Sequence, residues 1–168
     1  MTEPMAELEL TRAEDDRRLY ALGGVGTLRR RGRFWSAVTG EADGARWQFV
    51  RRGVWRRRGT ATDVTGAVVG EFEPARGLRR GGTVRWAGRE LALRPRSSWG
   101  TQRYALADGD REVALFDGKP SDRRPARVTL DDPAAVEPGL LLFATFLVRG
   151  LTLDTWGAVA AGTSAAGA

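Results

Sequence analysis

Apolar and polar residues alternate with a period of two through most of this chain, and only near its end does the pattern change. Trp47 and Phe49 alternate with Arg46 and Gln48, and Val84 and Trp86 with Thr83 and Arg85. Leu91 and Leu93 alternate with Ala92 and Arg94, and Val128 and Leu130 with Arg127 and Thr129. Successive side chains of a strand point to opposite faces, so each run predicts a strand with one apolar and one polar face. Turn residues fall between the runs, at Asp43-Gly44, Thr65-Gly66, Ala87-Gly88 and Asp108-Gly109. A tight hairpin needs positive φ, which Gly adopts freely and Asp tolerates. These four hairpins supply eight strands, and Leu19–Leu22, Gly26–Arg31 and Ala126–Leu130 bring the total to about eleven. Short strands so evenly spaced predict an antiparallel barrel or sandwich.

The pattern breaks at Gly139–Val148, a block of Leu, Phe, Ala and Val relieved only by Thr145. Pro138 suits the first position of a helix, where its missing N–H costs nothing. A helix apolar almost all round is buried in protein or sits in lipid. The uninterrupted run is about half of the roughly 20 residues that a bilayer span requires. Continuing it brings in Arg149 and Asp154, and a charge at mid-membrane costs about 2.5–3.5 kcal/mol. Enclosing its seven large side chains inside a barrel is worth on the order of 10–20 kcal/mol. The helix, about residues 138–150, is therefore expected to plug a barrel. Residues 1–156 form one domain in this reading, and the small, uncharged residues 157–168 form a weakly ordered tail.

Composition removes whole classes of chemistry. The 168 residues include no Cys and no His, which excludes disulfides, thiolate metal sites and every mechanism built on a Cys nucleophile or a His base. No carboxylate dyad stands out, so no catalytic residue, metal site or cofactor is expected and the chain does not read as an enzyme. Residues 1–16 are acidic and polar rather than a basic start followed by an apolar run, which predicts no secretory signal and a cytoplasmic protein.

The net charge of +6 and pI near 11 point to an anionic partner. Lys119 is the only lysine, so a high-GC coding bias toward Arg explains the same composition. Arg29, Arg30, Arg31 and Arg33 form one cluster, and Arg79-Arg80 lies in a Gly-rich loop. The densest cluster surrounds an aromatic residue: Arg51, Arg52, Trp55, Arg56, Arg57 and Arg58. Guanidinium forks match phosphate oxygens, and an adjacent Trp can stack on a base or sit at a lipid interface. Arg52, Trp55, Arg56, Arg57 and Arg58 are accordingly the candidate anion- or lipid-binding residues, set against a plain role as solvated strand faces. The pairs Asp15-Asp16 and Asp131-Asp132 read as turn or cap residues, and Gly23–Gly26 as a strand connection without the helix and Lys-Ser/Thr of a phosphate loop.

The Val69-Gly70-Glu71-Phe72 strand, the Tyr104–Gly109 hairpin and the apolar segment Leu140–Val148, in that order, resemble the tubby C-terminal-like superfamily, which includes the LURP-one-related proteins and the phospholipid scramblases. The likeness spans roughly residues 19–154. It implies a mainly β fold, a closed antiparallel barrel of about 12 strands around a hydrophobic C-terminal helix. It also implies association with phosphoinositides or membranes, as in tubby proteins and scramblases. No Cys is present for the palmitoylation of scramblases, and no counterpart of their calcium-binding acidic segment is found. Three functions are carried forward. The first is a non-enzymatic, monomeric barrel that binds anionic phospholipid headgroups, peripheral at the inner membrane face. The others are a nucleic-acid-binding protein using the same Arg-rich surface and a scaffold for a protein partner.

Overall fold

A computed structural model describes residues 5–32, 35–53, 58–76, 81–96, 103–117 and 126–164, with helix side chains described as far as Asp154. Twelve strands follow one another: β1 (Ala6–Arg12), β2 (Leu19–Leu22), β3 (Gly26–Arg30), β4 (Ala37–Ala42), β5 (Ala45–Arg52) and β6 (Arg58–Asp63). The second half continues with β7 (Val68–Pro74), β8 (Gly82–Trp86), β9 (Arg89–Pro95), β10 (Arg103–Asp108), β11 (Arg111–Asp117) and β12 (Ala126–Leu130). Each strand pairs antiparallel with the next, and β1 pairs with β12, so the meander closes into a barrel. Closure leaves no free edge for another chain to pair with.

The closing strand is the one that the alternation reading left out. Leu8 and Leu10 alternate with Glu7, Glu9 and Thr11, and β1 sits between β2 and β12, with Leu10 opposite both Leu22 and Ala126. At the expected hairpins, Asp43 and Gly44 both have positive φ, at 49° and 76°, as a two-residue hairpin turn requires. Ala87 takes φ 47° ahead of Gly88 at 82°, the same geometry without a residue that favours it.

After β12 a 3-10 turn at Pro133–Ala135, capped by the Asp132 carboxylate on the Ala134 N–H, redirects the chain into α1 (Pro138–Ser164). Every residue from Leu140 to Arg149 is buried. A helix stripe normally faces solvent somewhere; ten consecutive buried positions mean that the barrel wall surrounds this one. Leu142 reaches Gly26 on β3, Phe143 and Leu147 reach Gly59 on β6, and the Phe143 ring lies 5.8 Å from that of Trp86 on β8. The expectation of an apolar helix enclosed by a mainly β barrel is met.

The wall makes room for the helix by pairing small residues with large ones. A Cβ on Gly139 would lie 2.5 Å from the Trp86 ring and 2.7 Å from that of Trp47. One on Gly59 would lie 2.7 Å from Leu147. Glycine is needed at both positions for close approach. The helix also runs further than expected: it continues past residue 150 to Ser164, so residues 157–164 extend it where a tail was expected.

Candidate functional site: the long-connection rim

An up-and-down barrel reverses direction at every strand, so alternate connections gather at the same rim. At one rim the connections are short, at 23–25, 43–44, 64–67, 87–88 and 109–110, and this rim also receives the segment 131–137 that leads into α1. At the other rim all six are longer: 13–18, 31–36, 53–57, 75–81, 96–102 and 118–125. The sequences of these six connections hold thirteen basic and four acidic residues, whereas those at the short rim hold five acidic and no basic residues. Among the described residues of these connections the long rim holds five basic and three acidic residues and the short rim five acidic and no basic ones, a difference between the two ends that a uniform coding bias toward Arg does not produce.

Pairing sharpens the contrast. Four arginines on the wall face carboxylates on the same or neighbouring strands: Arg46 with Glu41 at 2.8 Å, Arg85 with Glu90 at 3.2 Å, Arg89 with Asp108 at 2.7 Å, and Arg127 with Glu7 and Glu9 at 3.3 and 3.5 Å, while Arg94 donates to the Gly109 carbonyl at 3.3 Å. Such exposed pairs contribute about 0–1 kcal/mol each, and their charges cancel at a distance. These arginines play the solvated strand-face role. By contrast, Arg12, Arg17, Arg52 and Arg76 are exposed at or beside the long rim and have no carboxylate within salt-bridge distance among the described residues. Arg29 and Arg96, also near this rim, are paired with Asp16 and Glu112.

Within the densest sequence cluster the structure separates three environments. Arg52 ends β5 and stands opposite Arg58, the first residue of β6, in direct register. Like charges facing one another across a ladder are destabilising by roughly 0.2–1 kcal/mol, and an anion between them removes that cost. Arg58 is partly compensated by Glu73 at 3.4 Å, and Arg52 is not. Trp55, Arg56 and Arg57 belong to the connection between these two residues and lie outside the described residues, as do Arg33, Arg79 and Arg80.

Arg51 lies elsewhere. It shares the inward face of β5 with Trp47 and Phe49, and its guanidinium passes over Gly150 to the Asp154 carboxylate on α1. Its side chain is 7% exposed, and burial pulls it down to about 10, so it stays protonated at neutral pH. Arg51 is thus a structural tie between wall and helix. Arg149, also buried, lies with its guanidinium 5.9 Å from the Trp35 ring centroid, a cation–π contact inside the same mouth.

The remaining candidates have local roles. Asp16 accepts from the Arg18 N–H and pairs with Arg29, contacts that hold its carboxyl below the usual range. Asp131 pairs with Arg111 at 3.3 Å, Asp132 caps the 3-10 turn, and residues 23–25 connect β2 to β3 at the short rim. Among the described residues no group of three or more potential ligands gathers to hold a metal ion. A shallow groove of about 380 Å³ opens beside the long rim between β7 and β9, lined in part by Arg76, Arg94 and Pro95.

Reading clusters along the chain missed this convergence of separate clusters on one end. The signal was nevertheless present, because short Gly turns and Arg-rich connections alternate in order. No family model matches the chain, and neither a curated protein nor a solved structure matches it.

Proposed function

We propose that this protein is a non-enzymatic barrel that docks its long-connection rim end-on against anionic phospholipid headgroups at a membrane surface. The observation that carries the reading is the difference in charge between the rims, with arginines at one end that have no carboxylate partner among the described residues and an excess of acid at the other. The end of a twelve-stranded cylinder offers a broad face, suited to a planar array of phosphates. The acidic pole opposite orients the molecule as it approaches. Two tryptophans, Trp55 and Trp99, belong in sequence to connections of this rim, and Trp is favoured at the headgroup level of bilayers. Arg52 and Arg58, with Trp55, Arg56 and Arg57 between them, form the principal contact.

The twelve-stranded closed barrel around a C-terminal helix is the architecture that the tubby C-terminal-like resemblance implies, and kinship with that superfamily is part of the same proposal. Among the described residues no helix is long and apolar enough to cross a membrane, and the outer wall carries exposed ion pairs such as Arg46–Glu41, Arg85–Glu90 and Arg89–Asp108; the association proposed is peripheral, at an anionic leaflet such as the cytoplasmic one.

Flotation with vesicles tests it. Binding to mixed phosphatidylcholine–phosphatidylserine vesicles is expected at low salt and should weaken at least about tenfold by 0.5 M salt, as the Debye length shrinks to about 4 Å. Pure phosphatidylcholine vesicles should leave the protein behind. Equal binding to both vesicle types would overturn the proposal. Failure to float, with a salt-steep mobility shift on nucleic acid instead, would move the assignment to the nucleic-acid reading.

A further inference from the structure

α1 is too long for the barrel that encloses it. Its 27 residues extend about 40 Å at 1.5 Å each, whereas the longest strand, the eight-residue β5, rises about 20 Å along a barrel axis after allowing for tilt. The helix enters at the short rim, where Glu137 accepts from the Trp86 indole at 2.9 Å, and runs toward the long rim. The Arg51–Asp154 pair, one residue from the end of β5, marks where it reaches that rim. The ten helical residues from Thr155 to Ser164 then continue about 15 Å beyond.

This extension leaves through the basic end, and its sequence is unlike anything around it. From Thr155 to Ala168 the chain has no charged residue, and it carries Trp156 and Val159 among Ala, Gly, Ser and Thr. We infer that the C-terminal extension of α1 is an interfacial membrane anchor, a short uncharged peg projecting from the ring of arginines and entering the headgroup region of an anionic bilayer. The inference rests on the lipid-docking proposal and deepens it. Charge complementarity selects the occupant, because the rim that surrounds the peg is the one attracted to anionic headgroups. Stable peripheral attachment generally takes two weak signals, and an electrostatic ring with a small apolar insert supplies both.

The absence of native Cys makes the test clean. Single-cysteine chains, Ala160→Cys in the extension and Ala67→Cys in a turn at the opposite rim, are labelled with a polarity-sensitive nitrobenzoxadiazole dye. They are mixed with phosphatidylcholine–phosphatidylserine vesicles, and flotation is followed on the same samples. Emission from the label at 160 is expected to shift to the blue and rise about twofold or more, while the label at 67 stays water-like. A water-like label at 160 on protein that floats would overturn the anchor and leave the docking proposal standing. An equal response at both positions would also overturn it. No flotation by either chain would overturn both proposals.

Discussion

Replacing Phe143 by Ala is expected to lower the unfolding free energy by about 3–5 kcal/mol, up to half or more of what a domain of this size commonly has. Phe143 is fully buried, with its ring 5.3 Å from Phe49 and 6.3 Å from Phe146 in addition to Trp86. It therefore links the helix to β5 and to β8. Truncation removes the apolar transfer term and leaves a cavity that a closed wall collapses around poorly. Denaturant unfolding measures the loss. Val68→Ala, on the outer face where Val68 is 57% exposed, should stay within about 0.5 kcal/mol of wild type. A Phe143→Ala cost below about 1 kcal/mol would mean that the helix is not the core.

Asp154→Ala is expected to cost about 3 kcal/mol, the low end for breaking a buried ion pair, since Asp154 is 22% exposed. The loss comes mainly from stranding the Arg51 guanidinium, whose charge burial already disfavours. Replacing both partners, Arg51→Met with Asp154→Leu, should recover most of the stability, because two apolar side chains leave no uncompensated charge. Denaturant unfolding of the two singles and the double forms a mutant cycle with a coupling energy of at least about 1.5 kcal/mol. Additive losses would show that the tie between wall and helix does not exist.

Much of the fold was legible because its signals are local. The alternation around Trp47 and Phe49, the turn at Asp43-Gly44 and the greasy run from Leu140 need only neighbouring residues to be read. What escaped depends on distance. β1 has only Leu8 and Leu10 among glutamates, and its role comes from pairing with β12, more than a hundred residues away. The helix runs to Ser164 through Gly150 and Gly157, each of which weakens a helix by about 1 kcal/mol relative to Ala. Yet Gly150 is the residue that lets the Arg51 side chain pass. Arg51 looked like one more member of a basic cluster, although its parity with Trp47 and Phe49 points it inward. The rim was the largest omission: Arg12, Arg52 and Arg76 are far apart in sequence, and only the alternating direction of the strands brings them to one end.

The most direct test of the charge-polarised barrel compares two triple variants that lose the same net charge in different places. Arg12→Gln, Arg52→Gln and Arg76→Gln remove three exposed arginines at or beside the long rim that have no carboxylate within salt-bridge distance among the described residues. Arg46→Gln, Arg85→Gln and Arg111→Gln remove paired arginines elsewhere on the barrel. Each basic residue at a lipid surface is worth about 1 kcal/mol, so the rim variant should bind phosphatidylserine-containing vesicles on the order of 100-fold more weakly than wild type. The paired-arginine variant should stay within about threefold. Equal losses in the two variants would show that net charge alone drives binding and would contradict the assignment of function to the rim.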